Sequence, residues 1–293
     1  MNYQALIDQK DWAGYPVGLT GCRTGGVFFS SCDFDVTVFD EKFQNDEIIP
    51  FQNKLVTIHH GSLSETKTQK LIQYENMEIL HDESWDLRMF LSKVNQKRLS
   101  LYKDHAKNSL IESLFCCEKT KNGIKESNVF APCWQKCASF YLAEAILAIN
   151  NCKPSPSHML DTIRKLDKNT INEKISAVNE TVGIERSTPS LLERMLKSTV
   201  GFSDLVEKNN HSLLVRQIHE YFVKNSMLAD CYFYLGYVNM QNFVNFKDSI
   251  EKQPDLIHIL KVSFDVEADY NLLQRQAKNV QKSANAILDL ISR

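Results

Sequence analysis

Two aspartates, Asp33 and Asp35, stand one residue apart inside an apolar, β-branched run, "CDFDVTVF". In a strand, residues two apart point the same way. Asp33, Asp35 and Thr37 therefore share one face, and Phe34, Val36 and Val38 share the other. The second face is an ordinary core face. The first sets two carboxylates about 7 Å apart along the strand. Converging side chains at that spacing can grip one Mg²⁺, or two ions about 4 Å apart. The wet face of any amphipathic strand can also read D-x-D, so the pair alone leaves both readings open.

The upstream half narrows the choice. Residues 17–20 predict a strand, and Gly21 lets the backbone turn sharply and approach a ligand closely. Cys22, Arg23 and Thr24 follow with donors, and Gly25 and Gly26 keep the turn compact. Backbone amides at such a turn, with Arg23 beside them, suit a phosphate. A strand, a glycine turn, a short segment and a strand carrying D-x-D is the order that places a triphosphate against its metal.

The stretch "TGCRTGG…SSCDFDVTVF" resembles the signature of the DNA polymerase β-like nucleotidyltransferase superfamily. That signature is a hydrophobic residue, Gly, then Gly or Ser, a spacer, and D-h-D-h with h hydrophobic. Thr20 stands at the hydrophobic position, Gly21 at the glycine and Cys22 where Ser is usual. Asp33, Phe34, Asp35 and Val36 form the acidic box. Arg23 after the Gly-Ser position and Ser31 near the first acid are similar to the small stand-alone members. The helical stretch "CASFYLAEAILAINNCKPSPSHML" is similar to the helical domains that accompany such enzymes. The resemblance implies that Asp33 and Asp35 hold Mg²⁺ (or Mn²⁺). It implies that Gly21 and Cys22 contact the phosphates of an NTP, with Arg23 and Ser31 also in the nucleotide-binding set. A nucleotidyl group would pass to an acceptor with loss of pyrophosphate, chiefly by positioning and charge neutralisation. The acceptor, whether a small molecule, a protein side chain or an RNA end, is not readable.

Two departures from the pattern matter. Cys22 is a weaker donor than Ser. The third carboxylate of the family lies on a later strand, and the strand expected to carry it, "KLVTIHHG", has Thr57 there instead. His59, two residues on, is a candidate ligand or base, although an exposed strand end is the plainer expectation for His59 and His60. Glu78 and Asp82 are the other candidates. With two acids of three, a degenerate transferase fold kept as a nucleotide-binding or regulatory module is the alternative. A helical domain acting as a partner surface is a third reading.

The elements that must position these residues follow from periodicity. A short helix over 3–10 is followed by strands at 17–20, 34–39, 48–51, 55–58 and 77–80, with helical composition over 64–74. From Ser84, a plausible N-cap, apolar residues at Leu87, Leu91, Val94 and Leu101 keep a helical period. Further helices are expected over 128–150, 158–166, 170–182, 189–207, 213–246, 250–262 and 272–291. The fold class is therefore α+β: a nucleotidyltransferase-like mixed sheet with helices over 1–83, then a larger all-α helical bundle over 84–293.

Composition is that of a soluble protein, with 43% hydrophobic and 24% charged residues among 293. Net charge is −2, which does not indicate a nucleic-acid trap. Residues 1–83 carry 6 Lys/Arg against 13 Asp/Glu, and the remainder 28 against 23. An acidic front needs a cation before it can meet an anionic substrate. No apolar run reaches the length of a membrane span and no secretory pattern follows Met1, so a cytoplasmic protein is expected. The eight cysteines form no CxxC. Cys133 and Cys137, four apart, are the nearest to a zinc pair, and reduced thiols packed as small apolar groups are the plainer reading. The aromatic stretch from Cys231 to Phe243 predicts core or an oligomer interface rather than a base-stacking surface. Lys93, Lys97, Arg98, Lys103 and Lys107 predict a solvated helix face, and Arg216 with His219 a solvated pair.

Overall fold

A computed structural model describes residues 1–26, 28–42, 45–206, 209–250, 252–266 and 269–292, the side chain of Asp248 excepted. Five strands, β1 (Val17–Thr20), β2 (Phe34–Val38), β3 (Glu47–Phe51), β4 (Lys54–His60) and β5 (Glu78–His81), form one mixed sheet in the order β3-β4-β2-β1-β5. β2 and β4 run parallel; the other three pairings are antiparallel. The helices are α1 (Tyr3–Gln9), α2 (Thr68–Gln73), α3 (Asp86–Gln96), α4 (Arg98–Lys125), α5 (Ala131–Ile149), α6 (Met159–Arg164) and α7 (Ile175–Val182). They continue with α8 (Pro189–Val206), α9 (His211–Lys224), α10 (Leu228–Asn245), α11 (Lys247–Ile250), α12 (Ile257–Ser263) and α13 (Tyr270–Ile291). The architecture is α+β, a sheet followed by a helical region, as expected. No helix among the described residues is long and apolar enough to cross a membrane.

The two faces of the sheet divide as strand alternation requires. Val17, Leu19, Val36, Val38, Val56 and Ile58 pack with Leu6 and Ile7 of α1 and with Trp12. Phe39, at the end of β2, lies on the opposite side in a cluster with Tyr74, Leu87 and Leu91. The edge strand β3 carries Pro50, which an edge tolerates. The helical region covers that edge: the Ile48 amide donates to the Asn209 carbonyl (3.1 Å), and Asn210 Nδ2 donates to the Ile48 carbonyl (3.3 Å). Covering an edge this way removes a template for unwanted strand pairing.

The single long segment expected from Ser84 is two helices meeting at Lys97. Its apolar period is unbroken, but its targets differ. Leu87 and Leu91 bury under Phe39 and Tyr74, while Val94 and Leu101 bury against Ile72 and Tyr102. Reaching both clusters requires a bend. Ser84 does not cap α3. Trp85 takes a left-handed conformation (φ 67°), and the Asp82 carboxylate accepts from the amides of Leu87 (3.3 Å) and Arg88 (3.0 Å). The helix expected over 213–246 is likewise split between α9 and α10, where Ser226 has φ 57°. The stretch expected over 250–262 begins as α-helix only at Ile257, after Pro254. Glu207, the last residue of the helix expected from Pro189, lies outside the described residues.

α5 is buried nearly all round and forms the axis of the helical core. α10 lies beside it, and Tyr232, Phe233, Tyr234, Tyr237 and Phe243 are all buried, so the aromatic stretch is core. Each such side chain contributes about 1.5–3 kcal/mol by leaving water. Lys93, Lys97 and Lys103 are exposed, as a solvated face requires, whereas Arg98 pairs with Glu75. Arg216 is exposed but His219 is buried, so these two are not a solvated pair.

Glu144 is one of several ionisable residues buried in the helical region, with Lys136 on the same helix. Glu144 accepts from Ser109 Oγ (3.2 Å) and from the Tyr237 hydroxyl. Burial pushes its carboxyl from the ordinary 4.5 up to about 7, against the pull of those two donors. The folded state thus holds the proton more tightly than the unfolded chain. The stabilisation is complete below the ordinary carboxyl range and is lost as pH rises through about 7. Between about pH 5 and pH 8, Glu144→Gln should therefore gain about 2–3 kcal/mol relative to the wild type. Denaturant titrations of both proteins at the two pH values measure that difference.

Candidate functional site

β2 brings Asp33 and Asp35 to the sheet face opposite α1, and three neighbouring segments close around them. The first is the glycine bend after β1. Gly21 has φ +78°, and a Cβ placed on it would lie 1.8 Å from Asp35 Oδ2. The bend and the carboxylate are thus in direct contact, which only a glycine permits. Thr24 Oγ1 donates to the Gly21 carbonyl (3.1 Å), and Cys22–Thr24 makes one 3₁₀ turn.

The second segment is β4, in parallel register with β2. Asp35 pairs with Thr57 and Thr37 with His59, so both β4 residues share the face of the acids. The Thr57 hydroxyl donates to Asp33 Oδ2. His59 bridges two acids, with Nε2 3.3 Å from Asp35 Oδ1 and Nδ1 3.0 Å from Asp46 Oδ1. It is not an exposed strand end, because the strand runs on to His60, whose Nδ1 sits 3.0 Å from Asp40.

The electrostatics follow from this packing. Burial, then repulsion from Asp35, pushes the Asp33 carboxyl from 3.8 up to about 7, partly opposed by the Thr57 donor. Burial works against a charged His59, but Asp35 and Asp46 outweigh it and raise the ring to about 10. In this arrangement the two carboxylates favour the protonated ring. The remaining third-acid candidates fall away. Glu78 pairs with Leu19 on the α1 face of the sheet, and Asp82 caps α3.

The third segment is the link after α5, "CKPSPSH", which delivers Lys153 and His158. Lys153 Nζ donates to the Gln73 carbonyl (3.5 Å). Burial lowers its ammonium below the usual range, while Asp35, Glu75 and Cys22 pull the other way. A half-buried cation thus stands within the field of the acids. His158 is buried, stacks on Phe29 (4.2 Å between centroids), and lies with Nε2 3.2 Å from Cys32 Sγ.

The other residues singled out by sequence are placed differently from one another. Arg23 is turned back onto its own loop: it donates to the carbonyls of Asp33 (2.8 Å) and Cys32, and lies 3.9 Å over the Phe34 ring. It braces the acidic segment and is not directed outward as a phosphate donor. Cys22 faces Cys32. Cys22, and then His158, draw the Cys32 thiol down against the cost of burial, while Cys32 and burial push the Cys22 thiol up. Ser31 is buried; its carbonyl accepts from Gln217 Nε2 (2.7 Å), and its hydroxyl has no protein partner.

Three participants were missed from sequence. Asp46 lies in a polar loop with no motif around it. Tyr234 belongs to the core aromatic stretch, yet its buried hydroxyl has no protein partner, and after burial the charge of Asp33 is the main influence raising its pKa. Lys153 sits in a segment that reads first as a helix break. A surface groove lined by Ile79, Arg88, Leu91, Ser92, Asn95 and Gln96 includes none of these residues. Comparison with known proteins gives no match to any family model and none to any curated protein.

Proposed function

We propose that the chain is a nucleotidyltransferase-like protein that holds an NTP with Mg²⁺ between the Gly21 bend and Asp33/Asp35, and passes a nucleotidyl group to an acceptor. One observation carries the reading: the Asp35 carboxylate is packed against the bend so closely that no side chain fits there. The donor set also suits a hard divalent ion, since two acids on one face, one of them driven toward neutrality by burial and then by the other, are relieved by a cation. Bound there, Mg²⁺ supplies charge neutralisation of the triphosphate and polarisation at the reacting phosphorus. The chain's own residues do the positioning. Asp33 and Asp35 hold the ion, and the amides of the bend face the phosphates. Arg23 fixes the backbone of the acidic segment, and Lys153 supplies a cation to the phosphate chain. Thr57 orients Asp33, and Asp46 orients His59.

A second reading, nucleotide binding without transfer, is favoured by one specific finding. Where the family has its third acid, this chain has Thr57 and, beside it, a charged His59. Among the described residues, β4 brings no third carboxylate to join Asp33 and Asp35.

Incubation with labelled NTPs and Mg²⁺ or Mn²⁺ separates the readings. Label transfer with pyrophosphate release supports the enzyme. NTP-dependent thermal stabilisation without turnover supports the binding module, and at 100-fold excess over Kd it amounts to about 2.7 kcal/mol. No response of either kind refutes both. Lys153→Gln should weaken that binding about tenfold, the loss of one partly buried charge contact of about 1.4 kcal/mol. Isothermal titration with an NTP analogue reads this.

A further inference from the structure

We infer that Cys22, Cys32 and His158 form a binding site for a thiophilic divalent ion such as Zn²⁺, separate from the carboxylate pair. Their Sγ, Sγ and imidazole nitrogen atoms all lie within 4.8 Å of one another, and Cys32 Sγ is 3.2 Å from His158 Nε2. Tetrahedral zinc, with Zn–S of about 2.3 Å and Zn–N of about 2.0–2.1 Å, sets ligand atoms about 3.6–3.8 Å apart. The three atoms reach that arrangement by shifts of roughly an ångström or less. They are the one such group of His, Cys, Asp or Glu among the described residues. Both cysteines are free thiols, and Cys32 and His158 are buried.

Each ligand is already aimed. Arg23 fixes the Cys32 carbonyl, the 3₁₀ turn fixes Cys22, and the His158 ring is stacked on Phe29, which in turn stacks on Tyr221 (5.2 Å). His158 Nδ1 is buried and has no protein partner, so no hydrogen bond from that nitrogen accounts for the ring turning Nε2 toward the thiols. Two thiolates and an imidazole select zinc or cobalt over magnesium, whereas the adjoining carboxylates select the harder ion. Any thiol proton still held is released to solvent on binding. Three protein ligands leave the fourth position to water or an anionic oxygen.

The placement gives the ion a mechanical role. Cys22 directly follows Gly21, Cys32 directly precedes Asp33, and His158 belongs to the link after α5. One ion would clamp the bend to the acidic strand and tie both to the helical region. Cys133 and Cys137, the pair nearest to a zinc spacing in sequence, are buried within α5 and belong to no such group.

The test uses the full chain, reduced and stripped with chelator, titrated with Co²⁺ and then Zn²⁺. The expected result is one equivalent of Co²⁺ with thiolate-to-cobalt charge-transfer absorption, bleached by one equivalent of Zn²⁺. Cys32→Ser and His158→Ala should each weaken binding by more than the 10–100-fold seen on losing an outer-shell partner. Cys152→Ser should not change it. Asp35→Asn should leave the thiolate band intact, and Mg²⁺ should not compete, so the site stands or falls independently of nucleotide binding. In the wild-type protein, Zn²⁺ should also slow alkylation of Cys22 at least about tenfold, read by mass spectrometry, as a ligating thiolate requires. Cobalt binding without a thiolate band, a band that survives Cys32→Ser, or alkylation of Cys22 indifferent to Zn²⁺ would overturn the inference.

Discussion

On the proposed transferase reading, Asp35→Asn is expected to cut metal-dependent nucleotidyl transfer by about a thousandfold or more, the loss of roughly 4 kcal/mol of metal-borne charge stabilisation. The same loss is expected for Asp33→Asn. Neither variant should unfold. The amide oxygen that Asp33→Asn introduces can still accept from the Thr57 hydroxyl, and replacing a carboxyl that burial already drives toward neutrality removes a repulsion with Asp35. The midpoint of thermal unfolding at neutral pH should therefore stay within a few degrees of the wild type while pyrophosphate release disappears. Loss of transfer together with loss of structure would instead assign the acids a packing role. Asp35→Asn has a second signature. His59 loses one of its two carboxylate partners, so its pKa should fall from about 10 toward the ordinary range, visible in the NMR titration of its ring.

Gly21→Ala should be the most damaging small substitution in the sheet. The new methyl group would sit 1.8 Å from Asp35 Oδ2, and φ at +78° is a conformation that alanine adopts only under strain. Left-handed strain costs about 1–3 kcal/mol, and overpacking against a fixed neighbour costs a similar amount. A destabilisation of about 2–5 kcal/mol is expected in urea titration, with any nucleotide or metal affinity lost as Asp35 is displaced. Gly14 is the control, since a Cβ there meets nothing within 4 Å and Gly14→Ala should be nearly silent.

Much of the sheet could be read from the chain because its signals are local. The alternation of Phe34, Val36 and Val38 against Asp33, Asp35 and Thr37 specifies the two faces of β2 without help from the rest of the protein. The bounds of β1 were readable for the same reason: a four-residue apolar strand ends at a glycine that must turn. The contact between Gly21 and Asp35 was an expectation of motif order, and β1–β2 pairing brings the two together, with Thr20 opposite Asp35.

What could not be read is what depends on distant partners. The bend at Lys97 arises because α3 and α4 serve different clusters, which periodicity cannot register. The state of His59 depends on Asp46, thirteen positions away in a loop and joined to it only by the β3–β4 hairpin. Arg23 was expected to face a phosphate because it follows the glycine to which the motif assigns phosphate contact. Its destination was decided by the carbonyls of Cys32 and Asp33 and by the Phe34 ring, a competition with no trace in spacing. The grouping of Cys22, Cys32 and His158 spans 126 residues between its last two members and matches no ligand spacing rule. One signal was available for the link after α5. A lysine and a histidine flanking two prolines, in a segment otherwise suited to a plain helix break, are residues of unused chemistry in a fixed conformation.

The most direct test of the central claim is a crystal soaked with Mn²⁺ and a non-hydrolysable NTP analogue, with anomalous scattering used to locate the ion. The account predicts a manganese peak bonded to the carboxylates of both Asp33 and Asp35, with the triphosphate against the amides of the Gly21 bend. A peak elsewhere, or a nucleotide bound away from that bend, would contradict it.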